Sequence, residues 1–60
     1  MTLKEARENA RYTKRAAAKI IGVSENTIYK WEQGKTTPNV KQYLKLCKIY
    51  DCQLSDIFFN

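Results

Sequence analysis

The chain has little of what metal binding and catalysis require. It contains no histidine and only two cysteines, Cys47 and Cys52, among 60 residues. A four-ligand zinc site would therefore need carboxylates or a second molecule. Without histidine, an activated nucleophile or a glycine-rich phosphate-binding loop, no catalytic arrangement can be assembled from these residues. We predict that the protein is not an enzyme and that it uses no metal, cofactor or small-molecule substrate.

Long apolar segments are also missing. No apolar run approaches the roughly 18 residues that a membrane-spanning helix needs. The first ten residues, MTLKEARENA, have a mainly polar, helical pattern and lack the continuous apolar core of a secretory signal. Cys47 and Cys52 suit small buried thiols in a reducing compartment, with a local disulfide between them as the alternative. These features predict a soluble, intracellular protein with no membrane partner.

Length and charge limit the protein to a small basic domain. Sixty residues, 43% of them apolar, are enough for one domain over residues 1–60, because so short a chain buries only about 60% of its unfolded surface. The 11 Lys and Arg residues exceed the 6 Asp and Glu residues, which gives a net charge of +5. Such a surplus attracts polyanions. Charge alone does not establish this partner, because many basic domains bind nothing anionic.

The segment from Thr13 to Glu32, TKRAAAKIIGVSENTIYKWE, has the spacing of a helix-turn-helix. Two short stretches with helical periodicity meet across Gly22, which can adopt the left-handed geometry of a sharp corner. Such a unit exposes its second helix, whose side chains can enter a DNA major groove about 12 Å wide. The inward-facing residues of the two helices are Ala17, Ala18, Ile21, Ile28 and Trp31.

Helical periodicity continues over the rest of the chain, and no strand pattern competes with it. Thr13, Ser24 and Asn39 are predicted N-caps, the last with Gln42 in a capping box, and Gly34 ends the third helix. The sequence therefore predicts an all-α, compact five-helix domain. Its helices cover about Thr2 to Asn9, Thr13 to Ile21, Glu25 to Gln33, a fourth that begins at Asn39 and includes Tyr50, and a short fifth with Leu54, Ile57 and Phe58 on its apolar side.

The outer face of the third helix carries the candidates for reading DNA bases. Glu25 can accept from cytosine N4, Asn26 can bond adenine through N6 and N7, and Lys30 can donate to guanine. Tyr29 can pack against a thymine methyl group or reach a phosphate. The alternative is that Glu25 only stabilises the start of the helix, while Asn26 and Lys30 are ordinary solvated residues.

Residues on either side of this helix are candidates for binding DNA phosphates. Lys14 and Arg15 open the second helix, whose unpaired N–H groups form an anion site. Lys35, Thr36 and Thr37 follow the third helix and can bind a second phosphate. Together the two groups would fix the register of the recognition helix. The lysines of the fourth helix, by contrast, are expected mainly to solvate it; they are Lys41, Lys45 and Lys48.

Arg7 and Glu32 have opposite charges and each interrupts an inward-facing stripe. We therefore predict that they pair and lock the first helix against the third. Arg7 is also in a position to touch a phosphate.

With these motifs, nearly the whole chain resembles the lambdoid phage repressor and Cro type of helix-turn-helix domain, the XRE family. The resemblance implies five helices, a third helix in the major groove, and symmetric dimers on palindromic operators. It also implies that Glu25, Asn26 and Lys30 read bases, and it supports the pairing of Arg7 with Glu32. Further phosphate contacts that it implies are Lys14, Thr27, Gln33 and Lys35. The matching residues are the Leu3 to Arg7 run, Ala17-Ala18, Ile21-Gly22-Val23-Ser24, Ile28, Trp31-Glu32-Gln33-Gly34-Lys35, Pro38 and the Leu46 to Tyr50 stretch.

Four positions depart from the family pattern. Lys14 follows the cap of the second helix, where the family usually has glutamine, and Arg11 occupies the place of a turn glycine. Ala17 replaces a leucine, which implies closer packing of the first two helices. Gln53 stands where a Ser or Thr cap is common.

The expected function is that of a sequence-specific DNA-binding regulator, a repressor of phage or mobile-element type in the cytoplasm of a bacterial or phage-infected cell. A recognition helix of about eight residues spans roughly 12 Å, or about four base pairs, so a homodimer on double-stranded DNA is expected. Alternatives are an antitoxin, a restriction controller, or a protein-interaction module that has lost DNA binding. The candidates for the dimer contact, each of which can instead serve the monomer core, are Val40, Leu54, Phe58 and Phe59.

Overall fold

The computed structural model describes residues 1–57. Within that range the chain is all-helical and has no strand, which confirms the predicted all-α class. Four α-helices are followed by a single 3-10 turn. They are α1, Leu3–Asn9; α2, Lys14–Ile21; α3, Glu25–Gln33; α4, Val40–Ile49; and the 3-10 turn, Leu54–Asp56.

Each helix begins at a side chain that accepts a hydrogen bond from a backbone N–H three residues later, and so satisfies one of the unpaired donors of the first turn. The predicted caps at Thr13, Ser24 and Asn39 are confirmed. Asn39 and Gln42 form the predicted capping box. Thr2 caps α1 together with Glu5 in a second capping box, so α1 begins one residue later than predicted. Local sequence therefore sets all four helix starts.

All four helices end with a residue in the left-handed backbone region. Gly22 and Gly34, with φ of 89° and 76°, are the two predicted stops. The other two helices end with non-glycine residues there, Arg11 at φ 64° and Asp51 at φ 53°. At each end, the following N–H donates to the carbonyl five residues before it, which gives orphan carbonyls a partner. These bonds are Tyr12 N to Arg7 O, Val23 N to Ala18 O, Lys35 N to Lys30 O and Cys52 N to Cys47 O, at 3.1, 3.0, 3.0 and 3.0 Å.

The core lies where α2 packs against α3 and α4. Ala17 and Ala18 are both buried, and their small side chains let the neighbouring helices approach α2 closely. Larger side chains from α3 and α4, with Tyr12 half-buried beside Tyr50, fill the remaining space. The buried apolar residues are Leu3, Ala6, Ala17, Ala18, Ile21, Ile28, Trp31, Leu46, Cys47, Tyr50 and Ile57.

The predicted fifth α-helix is not found among the described residues. Leu54–Asp56 form a 3-10 turn instead, closed by a bond from Asp56 N to Gln53 O at 2.9 Å. The Asp56 carboxylate also accepts from Gln53 N at 3.1 Å. A three-residue apolar spacing such as Leu54 to Ile57 fits a 3-10 turn as well as an α-helix, because residues three apart share a face in both. Phe58, which the prediction placed in this helix, lies outside the described residues.

The chain ends of the described range are held against the body. The N-terminal ammonium of Met1 donates to Asp56 O at 2.6 Å, and the Tyr43 hydroxyl donates to Ile57 O at 3.3 Å. Cys47 is buried, Cys52 is half-buried, and both are free thiols. Across residues 1–57, no helix has the length and apolar character needed to cross a membrane.

Candidate nucleic-acid interface

The buried residues of α3 determine which side of this helix faces solvent. Ile28 and Trp31 lie in the core, and steps of 100° per residue turn the intervening side chains outward. The structure leaves all four of the predicted base-reading residues at the surface. They are Glu25, Asn26, Tyr29 and Lys30.

The corner before α3 is made by Gly22 and the Ser24 cap. An ideal Cβ built on Gly22 would meet no atom within 4 Å, so glycine is needed there for its positive φ and not for space. The Ser24 side chain accepts from Thr27 N at 3.1 Å, and the Ser24 and Thr27 hydroxyls lie 2.8 Å apart. Thr27 is half-buried. Its hydroxyl, predicted to contact phosphate, is therefore already paired within the corner.

Arg7 and Glu32 connect α1 to α3. Arg7 Nε lies 2.7 Å from Glu32 Oε2, and Arg7 Nη2 donates to Glu32 Oε1 at 3.3 Å. The hydrogen bond with Glu32 raises the pKa of the Arg7 guanidinium above its usual value. Because both ends of the pair lie on elements flanking the core, it holds α3 in one orientation relative to α1. The pair thus supports the outer face without being part of it.

Two of the predicted phosphate-binding lysines converge on one residue of that outer face. Lys14 Nζ lies 5.8 Å from the centroid of the Tyr29 ring, and Lys35 Nζ lies 5.9 Å from the same centroid. Both distances fall within the range of cation–π contacts. We call this patch the Tyr29 cluster: Lys14, Tyr29 and Lys35. It brings together the start of α2, the middle of α3 and the residue after Gly34.

The remaining predicted phosphate contacts are also exposed. Arg7, by contrast, is buried. Its guanidinium already donates hydrogen bonds to Glu32 and to the Tyr12 carbonyl, so these contacts disfavour the predicted contact between Arg7 and a phosphate. The exposed group comprises Arg15, Gln33, Thr36 and Thr37.

Sequence analysis did not predict two features of this surface. The convergence of Lys14 and Lys35 on Tyr29 depends on how α2 crosses α3, and no spacing within either helix encodes it. The second is Leu44, 50% exposed. Its position four residues after Val40, the length of one helical turn, was the signal that could have revealed it.

The predicted dimer contacts are described only in part. Val40 is 75% exposed, and Leu44 follows it on the same side of α4. The side chain of Leu54, and both Phe58 and Phe59, lie outside the described residues. In the part of the chain that is described, no three His, Cys, Asp or Glu side chains come together in a way that could hold a metal ion.

Comparison with known proteins agrees with this arrangement. The helix-turn-helix family matches residues 3–57 of the chain. An uncharacterised HTH-type transcriptional regulator of Archaeoglobus fulgidus is 34% identical over 56 residues, which cover 93% of this chain and 79% of the relative. The HTH-type transcriptional regulator DicA of Escherichia coli K12 is 32% identical over 54 residues, 90% of this chain but only 40% of DicA.

A third relative, the uncharacterised HTH-type transcriptional regulator MJ0272 of Methanocaldococcus jannaschii, is 39% identical over 46 residues, 77% of this chain and 70% of the relative. No solved structure matches the chain. The family match covers nearly all described residues, and the corner at Gly22 and the outward face of α3 agree with it. The chain therefore belongs to the XRE type of the helix-turn-helix family.

Proposed function

We propose that this protein is a sequence-specific DNA-binding transcriptional regulator, a repressor of phage or mobile-element type that inserts α3 into the major groove. The main support for the proposal is that Asn26 and Lys30 are both exposed on the outer face of α3, while the inner face of this helix is buried. An amide and an ammonium are the groups that pair with adenine and guanine edges in the major groove.

The surroundings of α3 support the same function. Lys14 and Lys35 lie beside Tyr29, and the chain carries a net charge of +5. Basic groups flanking a recognition helix position it through phosphate contacts, while the helix itself reads the sequence. Relatives from an archaeon and from Escherichia coli are named HTH-type transcriptional regulators, and we extend that role to this chain.

A homodimer on a palindromic operator is part of the proposal. The nine residues of α3 span about 13 Å, which limits one copy to about four base pairs. Two copies related by a twofold axis would read two half-sites. The exposed pair Val40 and Leu44 offers an apolar surface for the contact, together with the predicted residues Leu54, Phe58 and Phe59.

Selection of bound fragments from a random pool of DNA duplexes tests the proposal. We expect one enriched motif made of two inverted half-sites of about four base pairs each. An enriched motif without inverted symmetry would contradict the dimer while leaving sequence-specific binding intact. A pool that shows no enrichment after repeated rounds would contradict sequence-specific binding.

The salt dependence of binding to the selected site provides a second measurement. A dimer that neutralises about eight phosphates should show log K falling with log salt concentration at a slope near −7. A slope close to zero would contradict groove binding, because contacts to the DNA backbone necessarily release counterions. Fluorescence anisotropy of a labelled duplex at a series of salt concentrations gives this slope directly.

A further inference from the structure

Tyr29 differs from the other exposed residues of α3 in what surrounds it. Asn26 and Lys30 are open to solvent, whereas the Tyr29 ring has two ammonium groups within 6 Å of its centroid, at 5.8 and 5.9 Å. Tyr29 as a whole residue is 41% exposed, so it is accessible to solvent while part of its surface is covered by its neighbours. A side chain in this setting is better placed to hold its neighbours than to read a base.

The two lysines come from different parts of the chain. Lys14 is the first residue of α2, and Lys35 follows Gly34 at the end of α3. Since both Nζ atoms lie within 6 Å of one point, they can be no more than about 12 Å apart. Only the packing of α2 against α3 brings these charges together, and both ammonium groups lie beside the Tyr29 ring.

Neither ammonium is neutralised by a carboxylate among residues 1–57; the ion pair found there joins Arg7 to Glu32. Two neighbouring positive charges repel each other, and an anion that lies near both offsets this repulsion. Lysine is also flexible, and ordering its side chain on binding costs conformational entropy. A ring that already restricts both side chains lowers that cost, and a backbone phosphate is an anion that relieves the repulsion.

We propose that Tyr29 is a positioning residue, whose ring holds Lys14 and Lys35 as one unit for contact with the phosphate backbone of DNA. The inference rests on the proposed function and assigns Tyr29 a role other than base reading. It requires the aromatic ring and not the hydroxyl group. Its effect is therefore common to all DNA sequences.

The first test is made on the free protein and does not involve DNA. Ring currents from Tyr29 should shift the ε-methylene proton resonances of Lys14 and Lys35 in NMR spectra. The shifts should persist in Tyr29→Phe, which keeps a ring, and disappear in Tyr29→Leu. Unchanged lysine resonances in Tyr29→Leu would overturn the contact. Far-UV circular dichroism checks that the variants fold, which is expected because Tyr29 lies on the outer face of α3.

The second test measures binding to the selected operator duplex and to a random duplex of equal length. Tyr29→Leu should weaken both by the same factor, roughly three- to tenfold, since exposed cation–π contacts are individually modest. Tyr29→Phe should restore most of that affinity. Lys14→Ala and Lys35→Ala should likewise weaken binding to both duplexes. Lys45→Ala, which removes one charge from α4 outside the Tyr29 cluster, is the control for these two lysine variants and should have the smaller effect.

A double-mutant cycle links the lysines to the ring. Lys14→Ala and Lys35→Ala should each cost less affinity in the Tyr29→Leu background than in the wild type, because the side chain that orders them is already missing. Equal losses in both backgrounds would overturn the inference. So would a Tyr29→Leu variant that loses affinity for the operator alone, which would make Tyr29 a base reader and leave the proposed function standing. A wild-type protein that binds neither duplex would overturn both.

Discussion

Arg7 on α1 and Glu32 on α3 meet in a two-point ion pair, with Nε to Oε2 at 2.7 Å and Nη2 to Oε1 at 3.3 Å. A third bond runs from Arg7 Nη1 to the carbonyl of Tyr12 at 2.8 Å. One guanidinium therefore joins α1, α3 and the loop that leads to α2. The two side chains are only 9% and 5% exposed, so salt and water screen the pair poorly.

Removing one partner of this pair should lower stability more than removing both. Glu32→Leu leaves a buried guanidinium without its carboxylate, which costs about 3–5 kcal/mol in a domain whose total stability is only several kcal/mol. The double variant Arg7→Met, Glu32→Leu should recover part of this loss. Recovery should be incomplete because the Tyr12 carbonyl loses its donor, at about 1–3 kcal/mol.

Urea unfolding followed by circular dichroism measures these free energies. Lys4→Gln, an exposed change on the same helix as Arg7, serves as the control and should stay within about 0.5 kcal/mol of the wild type. A double variant that is less stable than Glu32→Leu alone would contradict this account of the pair.

Exchanging glycine and non-glycine residues at the left-handed helix ends should change the free energy of unfolding in opposite directions. Gly22→Ala should lower the free energy of unfolding by about 1–2 kcal/mol through its positive φ alone, since a Cβ there meets nothing within 4 Å. Arg11→Gly should raise it by about 0.5–1 kcal/mol, because Arg11 adopts φ of 64°, which glycine tolerates without strain. Thermal unfolding of both variants checks the signs. Effects of the same sign would show that backbone strain does not govern these ends.

The features that could be predicted from sequence are those that depend on residues a few positions apart. A cap such as Ser24 needs only the N–H of Thr27, and a stop such as Gly34 needs only its own φ. The starts of α2, α3 and α4 and the stops after α2 and α3 were therefore predictable. By contrast, the left-handed geometry of Asp51 was not, because no side chain other than glycine marks such a position reliably.

The parts that escaped prediction depend on packing between elements. Leu54 and Ile57 have a spacing that fits both a 3-10 turn and an α-helix, so sequence could not distinguish the two. The Tyr29 cluster joins residues 14, 29 and 35, and its geometry depends on the contact between α2 and α3. Among the candidate residues of α3, exposure of Asn26 and Lys30 followed from periodicity alone. The surroundings of Tyr29 did not.

Stability at high pH should depend on Tyr50. Burial raises the pKa of its phenol to about 12, compared with an ordinary value near 10. Between about pH 10 and 12 the unfolded state therefore binds fewer protons than the folded state, and stability falls as the pH rises through this window. Below about pH 10 Tyr50 contributes no pH dependence. The expected loss of stability across this window is on the order of 3 kcal/mol.

Tyr50→Phe is the control for this pH effect. Urea unfolding at a series of pH values from about 9 to 12 should show a shallower decline for the variant than for the wild type, because the ionising group is gone. Half-buried Tyr43, whose pKa desolvation also raises, leaves some decline in both proteins. Identical slopes for the two proteins would rule out Tyr50 as the cause.

The contrast between Asn26 and Lys35 tests the separation of base reading from backbone binding. Asn26→Ala should reduce discrimination at one base pair of each half-site by about 1–3 kcal/mol, because a bidentate amide contact is lost. Lys35→Ala should weaken operator and random duplexes alike and make the salt slope shallower by about 1 for each subunit. Anisotropy titrations on the operator, single-base variants and a random duplex separate the two patterns. Equal losses on all duplexes for both variants would contradict the assigned roles, since Asn26 would then contact only the backbone.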